Sequence, residues 1–105
     1  MPPTWVPRLF GIRVRTEGSC TVLSVQGELD VVTVSALADA VDGALEADPV
    51  YLVFDLGDLD FMDARALGLL ATTAKRLGTV ELRKPSAMVT RMLQITGLDE
   101  RVSVA

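Results

Sequence analysis

Residues 50–68 read VYLVFDLGDLDFMDARALG, and the change of period inside them decides the fold. Val50 to Leu56 is apolar almost without a break, which predicts a central strand covered on both faces. Gly57 and Asp58 punctuate it. From Ala64 to Leu77 the chain is rich in alanine and leucine, and Leu67, Leu70, Ala74 and Leu77 fall on one helical stripe. Asp63 stands where an N-cap belongs, and Lys75 and Arg76 suit the negative end of the helix dipole. Gly78 then supplies a left-handed C′ residue. A buried strand running straight into a capped helix is the signature of a layered α/β unit.

The flanking sequence extends the pattern. Upstream, Val34, Leu37, Ala38, Val41 and Leu45 keep helical spacing between Thr33 and Ala47, with Asp39, Asp42 and Glu46 on the opposite side and Thr33 placed as N-cap. Before that, Ile12 to Arg15 alternates apolar and charged residues, Glu17-Gly18-Ser19 makes a turn, and strand character resumes from Cys20 to Gly27. Two such strands across a short turn predict an antiparallel hairpin. Downstream, Thr79 to Arg83 gives a short strand. Ser86 caps a third helix carrying Met88, Val89, Met92, Leu93 and Ile95, closed by Gly97, and Arg101 to Val104 alternates as an edge strand.

The predicted order is ββαβαβαβ, a mixed α/β sheet of four to five strands with parallel pairing through right-handed crossovers. Leu23, Val25, Leu37, Val41, Leu52, Phe54, Leu67, Leu70, Val89 and Leu93 are the expected core. The proline-rich opening, MPPTWVPRLFG, predicts an extended arm over residues 1–9 ahead of a single domain of residues 10–105. Trp5 in that arm has two readings: a ring lying over the core edge, or an anchor for a partner.

Composition removes much chemistry. The 105 residues include no histidine, one cysteine (Cys20) and eight scattered glycines. Histidine-based catalysis, cysteine-paired zinc motifs and phosphate-binding glycine loops therefore have no support. A net charge of −4 argues against nucleic acid or an anionic membrane as partner. No apolar run approaches the roughly 18 residues of a membrane helix. Pro2, Pro3, Pro7 and Arg8 interrupt any signal-peptide core, so the expected location is the cytoplasm.

Two segments join strands to helices, where free backbone amides collect: Gly27 to Thr33 (GELDVVT) and Asp58 to Gly68. In an α/β sheet both belong at the carboxyl ends of the strands. Asp58, Asp60 and Asp63 invite a calcium-loop reading. Such a loop starting at Asp58 would need an oxygen ligand where Met62 stands, glycine at Asp63 and glutamate at Leu69. Capping and turn chemistry account for these carboxylates, and neither a metal nor another cofactor is expected. A glycosidase-like pair of Asp30 and Asp63 lacks a substrate cleft.

GELD at 27–30, VYLVFDL at 50–56, DFMDARALG at 60–68 and RKPSAMVTRMLQITGLD at 83–99 together resemble a STAS domain of the bacterial anti-sigma factor antagonists. The resemblance covers about residues 10 to 104. It implies a mixed four- to five-stranded sheet opening with an antiparallel hairpin, with helices packed against it. It also implies a non-catalytic regulator of sigma-factor-dependent transcription that binds an anti-sigma factor or serine kinase, and frees a sigma factor by partner switching. The implied partner surface comprises Glu28, Asp30, Phe61, Met62, Asp63, Ala64, Arg65 and Leu67. The alternative role is a small STAS subunit of a transporter or lipid-trafficking complex, docked on an ATPase.

Typical members carry a phosphorylatable serine in a D-S-S-G-like segment. Here Arg65 stands at that serine position and Ala66 at the glycine, and no hydroxyl occurs between Asp63 and Thr72. Phosphorylation at this loop is not expected. Arg65 is then either a solvated residue paired loosely with Asp60 or Asp63, or a fixed recognition residue that grips a partner carboxylate.

Overall fold

Hairpin, helices and sheet follow the predicted order in the computed structural model, which describes residues 9–77, 80–97 and 102–104. β1 (Gly11–Glu17) and β2 (Cys20–Leu29) pair antiparallel. Gly18, at φ +60°, takes the left-handed turn position that a side chain would strain. Then come α1 (Val34–Glu46), β3 (Tyr51–Met62), α2 (Ala64–Leu77), β4 (Val80–Arg83), α3 (Ala87–Thr96) and β5 (Val102–Val104). The sheet order is β1-β2-β3-β4-β5, with every pair after the first parallel. The arm with Trp5, together with Gly78, Thr79 and Arg101, lies outside the described residues.

Because spatial order equals chain order, right-handed crossovers place all three helices on one face of the sheet. The core agrees. Leu37 and Val41 of α1, Ala66, Leu67 and Leu70 of α2, and Val89 and Leu93 of α3 share one cluster with Leu23, Val25, Leu52 and Phe54. All ten expected core residues are buried, Phe54 completely. Burying a side chain of that size contributes about 1.5–3 kcal/mol. Met88 and Ile95, expected on the apolar stripe of the third helix, are instead exposed, because the face of that helix turned to the core is built from Val89 and Leu93, with Met92 at its margin.

The central strand is covered on both faces, as expected, but by different means. Val53 of β3 points away from the helices and is fully buried beside Val22 and Cys20 in a separate small cluster. Among the described residues, charged side chains on neighbouring strands flank this cluster. Arg15 stands opposite Val22 and pairs with Glu17 at 2.8 Å; Glu17 reaches Arg83 at 3.0 Å, and Arg83 reaches Glu81 at 3.0 Å. The Arg83 guanidinium, then that of Arg15, holds the Glu17 carboxyl below its ordinary range. Aliphatic stems of such side chains can shield apolar surface while their heads stay wet.

Gly57 does not end the third strand. Between the pairs Ser24–Asp55 and Gln26–Asp58, β2 uses one residue where β3 uses two; β3 inserts another, Asp60, between Leu59 and Phe61. Two bulges thus carry β3 on to Met62. The Asp55 carboxylate accepts from the Gly57 amide at 3.1 Å and steadies the first. A Cβ at Gly57 would stand 2.9 Å from Lys84 Cδ.

Candidate functional site

The last pairing of β3 with β4 is Asp55 to Arg83, so β2 and β3 project beyond it as a two-stranded overhang. GELD is therefore mostly strand rather than loop, and so is DLDFM. Leu29 and Met62, paired at the far end of the overhang, bury their side chains in the core. Glu28 and Phe61, also paired, face outward; both are exposed, Phe61 by 42%. The Asp63 amide donates to the Leu29 carbonyl at 3.0 Å, which locks the two strand ends together.

Each strand end then turns on an aspartate. The Asp30 carboxylate accepts from the amides of Val32 at 2.9 Å and Thr33 at 3.1 Å. Those amide bonds, Val32 first, hold its carboxyl below the ordinary aspartate value. Thr33 was expected to cap the first helix through its side chain and does not. Its hydroxyl turns back to the Glu28 carbonyl at 2.7 Å and accepts from the Asp30 amide at 3.0 Å, so Asp30 satisfies the helix entrance instead. Asp63 caps α2 as expected, accepting from the amides of Arg65 at 3.0 Å and Ala66 at 3.1 Å. Ser86 caps α3 by accepting from Val89 at 3.2 Å.

These turns leave Ala64 and Arg65 exposed on the first turn of α2. Among the described residues the Arg65 guanidinium forms no ion pair, with Asp60 or Asp63 or any other carboxylate. Met62 and Leu67, included in the expected surface, lie in the core at 1% and 3% exposure. They hold the overhang and helix in place and present nothing outward. Sequence reading missed three exposed apolar residues at this end. Val31 and Val32 project from the turn after β2, and Met88 lines a small cleft with Phe61. Two consecutive valines in a turn, where polar residues are usual, were the available signal. Among the described residues no group of acidic or cysteine side chains is arranged to hold a metal ion. No helix there is long and apolar enough to cross a membrane.

The sequence that builds this sheet in chain order, with helices on one face and two aspartate-capped strand ends, matches the family model for the STAS domain over residues 11–105. The chain belongs to the STAS domain family. This STAS domain is 32% identical over 72 residues to the anti-sigma-F factor antagonist RsfB of Mycobacterium tuberculosis. The match takes in 69% of this chain but only 59% of RsfB, under two thirds of that relative's length. The crystal structure of an anti-sigma factor antagonist from Mycobacterium paratuberculosis superposes with a TM-score of 0.79 at 32% identity, covering 91% of this chain and 85% of that one. The Bacillus cell fate determinant SpoIIAA, in its phosphorylated form, shares the fold with a TM-score of 0.72 at 21% identity, over 90% of this chain and 91% of its own.

Proposed function

We propose that this STAS domain is a non-catalytic antagonist of an anti-sigma factor, acting in the cytoplasm by binding that protein at the end of the β2–β3 overhang. The names of its 32%-identical relatives support the class of partner. The surface supports the mode. Exposed Val31, Val32, Phe61 and Met88 offer apolar area at the strand end where Glu28, Ala64 and Arg65 are also exposed. Apolar anchors beside a charged residue are how protein interfaces concentrate their binding energy.

One observation carries the finer reading: Arg65 is exposed, unpaired among the described residues, and stands where typical members place a phosphorylatable serine. A guanidinium held there fits a partner carboxylate as a fork, and it offers a serine kinase no hydroxyl to switch it. Binding is then constitutive at this loop, and its control lies in the abundance or state of the partner.

The test is calorimetric titration of an anti-sigma factor encoded in the same genome against wild type, Arg65→Ala and Arg65→Glu. Arg65→Ala should weaken binding by about 1–3 kcal/mol, and Arg65→Glu by more, through like-charge repulsion. The melting temperature should hold or rise slightly, since a cation at a helix N-terminus opposes the dipole. Adding ATP should leave residues 64–71 unmodified. Equal affinities for all three proteins would refute the role of Arg65, and no binding by any would refute the partner class.

A further inference from the structure

The third helix carries two apolar stripes, and the core takes only one of them. Val89 and Leu93 are buried against the sheet. Met88, Met92 and Ile95 follow at i, i+4 and i+7 on a neighbouring face, with Met92 half-buried, Met88 exposed and Ile95 77% exposed. Arg91 shares that face and is exposed, and among the described residues it forms no ion pair. At the head of the helix the stripe meets the strand end, where Met88 and Phe61 line one cleft. We propose, on the partner class inferred above, that this face of α3 continues the partner surface and takes an amphipathic helix of the anti-sigma factor, with a carboxylate of that helix set against Arg91.

Continuity, charge and shape select this occupant. A protein seated on Phe61 and Met88 already stands at the head of α3, and Ile95 lies seven residues further, about 10 Å along the axis. Residues 84–97 hold two cations, Lys84 and Arg91, and no carboxylate, in a chain whose net charge is −4. An acidic segment is drawn to this face and repelled by the acidic remainder of the surface, which fixes where it docks. Met88 and Met92 form an i, i+4 ridge, the relief that packs into the groove of a second helix, and flexible methionine side chains adapt to it. A helix surface offers no backbone ladder, so an extended segment laid on it would leave its own amides unsatisfied, whereas a helix arrives with its backbone already paired. A second copy of this chain fits poorly. Antiparallel pairing of two such stripes about a two-fold axis sets Arg91 against its own counterpart.

The test adds the anti-sigma factor encoded in the same genome to the isotopically labelled protein and follows its amide signals by NMR. Signals of residues 87–97 should shift along with those of residues 61–65. In calorimetric titrations Ile95→Ser should weaken binding roughly tenfold, and Arg91→Glu by more, through repulsion of the partner's carboxylate. Both side chains are exposed, so each variant should keep the wild-type melting temperature. Shifts that stop at Met88, or α3 variants that bind like wild type while Arg65→Glu does not, would overturn this surface and leave the strand-end reading standing. Binding lost in the α3 variants but unchanged in Arg65→Glu and Phe61→Ala would keep α3 and overturn the strand-end reading. No binding by wild type would overturn both. A dimer of the free protein that Ile95→Ser dissolves, seen by sedimentation, would give the face to a second copy and overturn the proposal.

Discussion

Replacing Asp63 by alanine tests how the strand end and α2 are joined. One carboxylate oxygen accepts from two first-turn amides, those of Arg65 and Ala66. Ala66 is fully buried, so water cannot readily take over its amide once the oxygen is gone. The cost should therefore fall in the upper part of the range for a lost N-cap, about 1–2 kcal/mol. For a domain near this size each kcal/mol shifts the melting temperature by roughly 4–8 °C, so a drop of roughly 4–16 °C is expected. Asp63→Asn keeps an oxygen acceptor and loses only the charge that favours the helix N-terminus, a loss of about 0.5 kcal/mol. Urea unfolding followed by circular dichroism measures both, and an unchanged denaturant slope would show that the compactness of each state is preserved. An Asp63→Asn variant as unstable as Asp63→Ala would refute the capping account, as would an Asp63→Ala variant as stable as wild type.

Two further outcomes follow from the same geometry. The Asp30 carboxyl is held low by the Val32 and Thr33 amides, so its folded-state pKa lies below its unfolded one. Its stabilising contribution is present above the unfolded value, near pH 4, and is lost as pH falls through the folded value; Asp30→Asn should flatten that acid limb in pH-dependent unfolding. Phe54 and Phe61 lie on the same strand with opposite expectations. Phe54→Ala should cost about 3–5 kcal/mol of stability, whereas Phe61→Ala should leave stability within about 0.5 kcal/mol of wild type and weaken partner binding, as paired denaturation and titration experiments would show.

The elements legible in the sequence were those whose signals are local. The stripe of Leu67, Leu70 and Ala74, the Asp63 and Ser86 caps, and the left-handed Gly97 at φ +73° each act within a few residues, and each stands where periodicity and capping chemistry put it. What was hidden depends on partners distant in sequence. A bulge exists only relative to a neighbouring strand, so nothing in GDLDFM shows that β3 slips twice against β2 and runs on to Met62. Likewise Val53 reads as the inward side of a strand, yet the ion pairs on its face join Arg15 and Glu17 on one strand to Arg83 on another. At the candidate site the two aspartates were legible as turn residues. The diversion of the Thr33 hydroxyl to the Glu28 carbonyl was not, because it depends on how β2 ends.

Strand order equal to chain order has a consequence for how the domain is made. Each strand lies beside the one synthesised just before it, starting from a hairpin that needs nothing downstream. The sheet can grow at one margin as the chain emerges, each crossover helix closing over the strand it has just delivered. No strand has to be inserted between two already paired. Growth exposes one moving edge besides the fixed edge of β1, and the last strand to be added, β5, is three residues long, which leaves a foreign strand little to grip there.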